Sequence, residues 1–332
     1  MSDRLNGRAL WYVAPGRAEI RESLMPRPAA DQALVRTLWS GLSRGTERLV
    51  FSGRVPVSEH MRMRAPLQEG DFPFPVKYGY CCVGTVEDGP AGWGGRTVFA
   101  LHPHQDVFVL PVASLSPVPP AIPPRRAILA ANQETALNGL WDSACGPGDR
   151  IVVVGAGVLG MLIGALAARL PGTEVTLIDV AEERRPLVER LGARFVRVPS
   201  VDAALPRDAD VVFHASATEA GLALSLELAG LEANVVEMSW YGDAKPALPL
   251  GGGFHSRRLK LIASQVGEVA PSRRPRWTHP RRLAAALALL DDARLDALIT
   301  QEVAFGELHQ SLPRLLAPNA PGLVTAVRYP ES

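Results

Sequence analysis

Apolar and polar positions along this chain fall into two regimes. From Ile151 the pattern is one of short apolar runs alternating with longer amphipathic ones. Ile151 to Val154 are β-branched and too few for a helix, so they read as a buried strand. Gly155-Ala-Gly157-Val-Leu-Gly160 follows at once, and an Ala-rich apolar stretch to Leu170 suits a helix. Glu174–Ile178 reads as a second strand, ending in Asp179. The alternation goes on with a helix near Glu182–Leu191 and strands at Arg194–Val198 and Asp210–His214. A helix at Ala220–Ala229 and strands at Asn234–Met238 and Leu259–Ser264 complete it. Six strands with intervening helices predict an α/β fold with a doubly wound parallel sheet.

Residues 1–120 read as mostly β. Arg8–Val13, Ala33–Leu42, Val83–Glu87, Arg96–Ala100 and Val107–Leu110 are strand-like. Ser52–Val76 carries Pro56, Pro66, Pro73 and Pro75 and reads as a long loop, a place where function often resides. Prolines between Pro117 and Pro124 mark a boundary, and Arg125–Trp141 reads as a helix. The tail predicts a helix at His279–Leu290, then strand, helix and strand at Leu298–Ala304, Glu307–Leu316 and Gly322–Tyr329. The parallel sheet has no slot left for those strands. They are expected to return to the first domain, so that 1–124 and 273–332 enclose 125–272.

Composition narrows the function. With 332 residues and 47% hydrophobic content the chain can bury two cores. A net charge of +1 gives no general attraction to nucleic acid or an anionic membrane. Ile151–Ala168 is uncharged over 18 residues, long enough for a membrane span, but its glycines and strand-like start argue against one. Three cysteines, Cys81, Cys82 and Cys145, cannot make a disulfide framework, and the N-terminus lacks an apolar core of signal-peptide length. A cytoplasmic protein is expected.

The decisive motif is G-x-G-x-x-G inside a βαβ unit, with an acid 24 residues after its first glycine. Gly155 allows the tight turn, Gly157 lets the backbone approach a pyrophosphate, and Gly160 lets helix and strand pack closely. The helix start, with Val158 and Leu159, offers free N–H groups to phosphate. Asp179 can accept from a ribose diol and should repel a 2′-phosphate. NAD(H) is therefore expected over NADP(H), although Arg184 and Arg185 nearby keep NADP(H) open. Ser216, Ser239 and Trp240 end later strands, at the edge where such sheets bind ligands, and Trp240 and Tyr241 could flank the nicotinamide.

A β-rich first part, a Rossmann domain and a returning tail resemble the medium-chain dehydrogenase/reductase superfamily over essentially the whole chain. Ser40-Gly-Leu-Ser-Arg-Gly-Thr-Glu-Arg-Leu-Val-Phe-Ser-Gly-Arg54 is similar to the S-G-[IL]-S-x-G-T-E-[KR]-L-x-x-S-G-R segment of its bacteriochlorophyllide dehydrogenase branch. Gly79-Tyr80-Cys81-Cys82-Val83-Gly84 resembles G-Y-E-S-V-G there, with a departure at Cys81. The resemblance implies a GroES-like β-barrel beside the Rossmann domain and an active site between them. It also implies an oligomer, commonly a homodimer joined through the last Rossmann strand.

The zinc alcohol dehydrogenases of that superfamily place ligands where this chain has Ser43, Tyr80 and Ala131. Zinc takes thiolate, imidazole or carboxylate, so no catalytic zinc is expected. Tyr80 is then the candidate proton donor, with Thr46 and Ser43 as its hydroxyl relay; a wall tyrosine with a satisfied hydroxyl is the alternative. Arg44 matches a position that contacts cofactor phosphate in relatives. Glu47 could fix Arg44 or the loop, and the adjacent Cys81 and Cys82 read as buried structural cysteines. His102 and His104 cannot both reach one small site from an extended chain, and one of them, His104 for choice, could meet substrate. Arg273, Arg274 and Arg276 lie in Ser272-Arg-Arg-Pro-Arg-Trp277 and would suit an anionic substrate if they face it, a solvated loop being the alternative.

These residues point to hydride transfer between nicotinamide and an alcohol/carbonyl small-molecule substrate, bulky or ring-bearing by the nearest resemblance. Reduction of an activated C=C bond is the second reading. A dinucleotide-binding redox sensor without turnover is the third.

Overall fold

The computed structural model describes residues 4–199 and 205–330. The chain opens with a hairpin, β1 (Arg4–Ala14) and β2 (Arg17–Pro26), turned at Gly16 with φ +70°. β3 (Gln32–Leu42) and helix α1 (Arg44–Phe51) follow. The proline-rich stretch after α1 contributes only β4 (Glu69–Gly70) and β5 (Val76–Lys77). Then come β6 (Cys82–Asp88), β7 (Thr97–Ala100), β8 (Val107–Pro111) and β9 (Ser116–Pro117). Short α2 (Pro124–Ala127) and long α3 (Ala130–Ser143) replace the single helix expected there.

The middle of the chain alternates as its pattern predicts: β10 (Arg150–Val154), α4 (Val158–Ala167), β11 (Glu174–Asp179), α5 (Arg185–Arg190) and β12 (Arg194–Arg197). Next are β13 (Ala209–His214), α6 (Glu219–Leu228), β14 (Ala229–Glu237) and β15 (Lys260–Ala263). The tail holds α7 (His279–Ala288), β16 (Ile299–Ala304), α8 (Phe305–Leu315) and β17 (Val324–Arg328).

Two compact units result: Met1–Ala131 with Leu287–Ser332, and Asn132–Ala286. The joins fall inside α3 and α7, several residues beyond the boundaries expected at 124 and 273.

The first unit holds two sheets. One runs β2-β1-β5-β4, the other β16-β17-β3-β6-β7-β9, with β8 also paired to β3. The tail strands do return: β17 lies antiparallel to β3, with Val327 opposite Ser40. Val35, Cys82, Val86, Val98 and Phe108 form a buried core on the larger sheet. Burying side chains of this size stabilises by about 1.5–3 kcal/mol each before entropy is counted.

The second unit is a six-stranded sheet in the order β12-β11-β10-β13-β14-β15, parallel throughout. Its inner strands β10, β11 and β13 are buried almost throughout and so read as continuous apolar runs. α4 is buried along nearly its whole length, which is why its sequence carries no polar face. The uncharged run Ile151–Ala168 is thus a strand, a turn and a ten-residue helix. Among the described residues no helix is long and apolar enough to cross a membrane.

Candidate functional site

In the second unit the glycine turn joins β10 to α4. Gly155 adopts φ +108°, and a Cβ there would lie 2.7 Å from the Ser216 nitrogen. A Cβ on Gly160 would meet the Gly155 carbonyl oxygen at 1.9 Å. At Gly157 an added Cβ would meet nothing within 4 Å, so the backbone faces open space. Val158 and Leu159, half-buried, open α4 directly behind it. These are the features a phosphate cradle at a helix start requires.

Asp179 ends β11 and is 9% exposed. Its Oδ2 accepts from the Ala156 N–H at 2.7 Å and from Arg184 at 2.7 Å. Its Oδ1 accepts from the Ala181 N–H at 2.9 Å. A carboxylate has about four lone-pair positions, so one remains for a ligand hydroxyl. Arg184 is held by the acid itself, and Arg185 pairs with Glu182 just before α5 and with Glu189 within it.

The ends of β13 and β14 carry a polar chain. His214 is fully buried, and its Nδ1 lies 2.8 and 2.9 Å from the two Glu237 carboxylate oxygens. A carboxylate only accepts, so Nδ1 carries the proton and Nε2 accepts from Ser216 Oγ at 2.7 Å. Ser216 Oγ also meets Thr218 Oγ1 at 2.9 Å, and Thr218 caps α6 at the Gly221 N–H. Ser239 Oγ accepts from the Ala217 N–H at 3.1 Å. Tyr241 donates to Glu237 at 3.3 Å and stacks on His214, while Trp240 beside it is half-buried. Ser216 and Ser239 therefore tie this strand edge together.

The arginine stretch lies on the same unit. Arg273 sits over the Trp141 ring, and Arg274 pairs with Glu268 and donates to the Val269 carbonyl. Arg276 is exposed, and its carbonyl accepts from Arg281. The adjacent Arg282, 1% exposed, donates to Glu134, Asn138 and two loop carbonyls, which anchors the stretch to α3.

In the first unit Tyr80 sits between β5 and β6, half-buried, and hydrogen-bonds to the side chains of Ser43 and Thr46. The three residues expected to form a relay are thus in contact. Burial, then the neighbouring Cys81 and Glu47, push the phenol above its ordinary range, while the two hydroxyls pull it down. A neutral phenol at neutral pH follows.

Behind these residues is a network that the sequence did not suggest. Glu47, fully buried, accepts from Tyr12 at 2.7 Å and from the Ser43 N–H at 2.7 Å. His104 Nε2 lies 3.1 Å from the same carboxylate, and its Nδ1 meets Ser40 Oγ at 2.7 Å. Ser40 in turn meets the Tyr329 hydroxyl at 3.0 Å. Both ring nitrogens of His104 are spent in the interior rather than on an open surface. Its ring lies against Gly79, where φ is +124° and a Cβ would be 2.9 Å from His104 Cδ2.

His102 stacks on Phe108 with centroids 4.1 Å apart, and burial pushes its pKa down to about 3. Neither histidine occupies a surface turn. Arg44 donates to the carbonyls of Ala320, Pro321 and Gly322, so its guanidinium ties α1 to the tail.

The positions that the sequence resemblance matches to zinc ligands carry a hydroxyl at Ser43, a phenol at Tyr80 and a methyl at Ala131, which do not suit that ion. Cys81 is next to Tyr80, but its buried thiol is pushed well above the ordinary range and stays protonated. Among the described residues no three His, Cys, Asp or Glu side chains converge as a metal site would require.

No protein-family model matches the chain. A 2-dehydro-3-deoxy-L-galactonate 5-dehydrogenase from Pseudoalteromonas atlantica is 24% identical over 173 residues, 50% of each chain. The chain spans about half the length, or less, of the curated relatives it matches. Among solved structures, a proposed zinc-binding dehydrogenase from Sinorhizobium meliloti bound to NADP matches with TM-score 0.77 and 18% identity over 98% and 99% of the two chains. The L-idonate 5-dehydrogenase of Escherichia coli matches with TM-score 0.80 and 14% identity over 98% and 99%. The chain has the medium-chain dehydrogenase fold. That fold comprises the GroES-like β domain and the Rossmann domain seen here as the two units. The likeness at the bacteriochlorophyllide dehydrogenase segments stays a resemblance of sequence.

Proposed function

We propose that the chain is an NAD(P)-dependent oxidoreductase that interconverts an alcohol and a carbonyl without catalytic zinc, with Tyr80 as proton donor. The observation that carries this reading is the glycine cradle at Gly155–Gly160 next to Asp179, on a fold shared with nicotinamide-dependent dehydrogenases. When bound, the nicotinamide supplies or accepts the hydride. Val158, Leu159 and the open backbone at Gly157 would hold the pyrophosphate. Asp179 would take a ribose hydroxyl at its remaining lone pair and disfavour a 2′-phosphate, so NAD(H) is the preferred cofactor. Arg44, Ser216, Ser239 and Trp240 are the further candidates for cofactor contact.

Tyr80 would stabilise the developing charge on the substrate oxygen by donating its proton, and Ser43 and Thr46 would pass a proton back to the phenolate. The contact of the three hydroxyls supports this part. Arg273, Arg274 and Arg276 would favour an anionic substrate if they face it; Arg273 sits over Trp141 and Arg274 pairs with Glu268. We further propose a cytoplasmic homodimer joined through β15, the edge strand of the parallel sheet.

The test is titration of purified, metal-analysed protein with NADH and NADPH, followed by turnover of an alcohol and ketone panel by wild type and Tyr80→Phe. Tight NADH binding and a fall in kcat of about 10²–10⁴ in the variant are expected. Failure to bind either nucleotide, or full activity in Tyr80→Phe, defeats the reading.

A further inference from the structure

We propose that Glu47 and His104 are positioning residues that hold the Tyr80 hydroxyl as a proton donor, which makes carbonyl reduction the working direction of the site. The inference rests on the oxidoreductase reading above and adds a direction to it.

The geometry starts at Glu47. A carboxylate with no exposure to water needs several donors to offset its desolvation. Glu47 has three, from Tyr12, the Ser43 N–H and His104. The carboxylate fixes His104 Nε2 as the N–H nitrogen, so Nδ1 accepts from Ser40 and Ser40 can accept from Tyr329. Every hydrogen in the chain Tyr329, Ser40, His104 thus points toward Glu47. The bond to the Ser43 N–H fixes the residue that begins α1, and the side chains of Ser43 and Thr46 reach Tyr80 from that turn. Gly79 keeps the His104 ring against the backbone next to Tyr80.

The electrostatic surroundings have one sign. Burial, Cys81 and then Glu47 on α1 oppose ionisation of this phenol, and Tyr80 in turn raises its neighbours Tyr12 on β1 and Tyr78. The Nε2–H of His104 is aimed at Glu47. A phenolate here would face a buried carboxylate, with the Ser43 and Thr46 hydroxyls as its donors. Alcohol oxidation needs that phenolate as base, whereas reduction needs the phenol as acid. In the reductive step the carbonyl carbon gains a hydride from the reduced nicotinamide. The C=O π pair moves to oxygen, and that oxygen takes the Tyr80 proton. The phenolate is reprotonated from solvent through the relay hydroxyls.

A fluorinated tyrosine placed at position 80 brings the phenol's ionisation into the range where the folded protein can be studied, and 19F NMR reads it without substrate or cofactor. Glu47→Gln should lower the midpoint by about one pH unit, a tenfold change in the ionisation constant, and Glu47→Asp should restore most of it. A midpoint that does not move in Glu47→Gln overturns the role of Glu47. If that variant does not fold, the wild type still decides. Reductive kcat/KM should stay flat from about pH 6 to pH 9, while oxidative kcat/KM rises about tenfold per unit. An oxidative plateau by pH 7 overturns the proposal. The NMR midpoint needs no turnover, so a shift there with no dehydrogenase activity would indict the oxidoreductase reading and leave the electrostatic role standing.

Discussion

Asp179 Oδ2 accepts the backbone N–H of Ala156 at 2.7 Å, so the acid that ends one strand holds the glycine turn that follows another. The same carboxylate therefore shapes the cradle and, in the function proposed, would also meet the cofactor ribose. Asp179→Ala should weaken NADH binding by about ten- to a hundredfold, the worth of losing a charge-assisted hydrogen bond and its geometry. NADPH binding should fall less, because Arg184 is released. Parallel fluorescence titrations check this, and an unchanged NADH/NADPH ratio would count against Asp179 as the discriminating residue.

Gly160 has no room for a side chain. Gly160→Ala should destabilise the second unit by about 1–3 kcal/mol or more, as overpacking does, and lower NADH affinity as the turn shifts. Urea unfolding of the variant measures the loss; a stability equal to wild type would contradict the packing described.

Arg282 and Glu134 form a buried pair, 1% and 5% exposed. Glu134→Ala leaves the guanidinium without its counter-charge and should cost about 3–5 kcal/mol. Replacing both partners with apolar residues should cost less than the single change, which a double-mutant cycle in urea would show.

His102 gives the protein an acid limit. Its folded pKa of about 3 lies below the ordinary 6.5, so the unfolded chain binds the proton more readily. The corresponding stability is present above about pH 6.5 and is lost as pH falls toward 3, at about 1.4 kcal/mol per unit. His102→Gln should flatten the fall of urea midpoint with pH over that window. Parallel curves for variant and wild type would assign the acid loss elsewhere.

Legibility differed between the units for a physical reason. In the second unit β10, β11 and β13 are buried along nearly their whole length, so they stand out as apolar runs. β2 escaped notice because only Ala18 and Met25 of Arg17–Pro26 are buried, and Arg17, Glu19, Arg21 and Glu22 break up the apolar pattern. Tyr80, Ser43 and Thr46 could be named from a motif. Their support could not, because Tyr12, Glu47, His104 and Tyr329 come together from opposite ends of the chain. One signal was present: Glu47 stands four residues after Ser43, the spacing at which a helix acid can reach back to the start of its own helix. His214 and Glu237 were missed likewise, as members of two adjacent strands separated in sequence by α6.

The pairing of Leu42 with Thr325 has a consequence for biosynthesis. The carboxyl end of β3 leaves the ribosome early and must wait, one edge bare, until β17 has been translated. The entire nucleotide-fold unit is made in the interval and can fold as a finished module inside an unfinished one. A ribosome that stops short of Val324 would release a chain with a competent second unit and an open strand in the first. Such edges invite pairing with other chains, so truncated products should be the species that aggregate or are cleared by proteases.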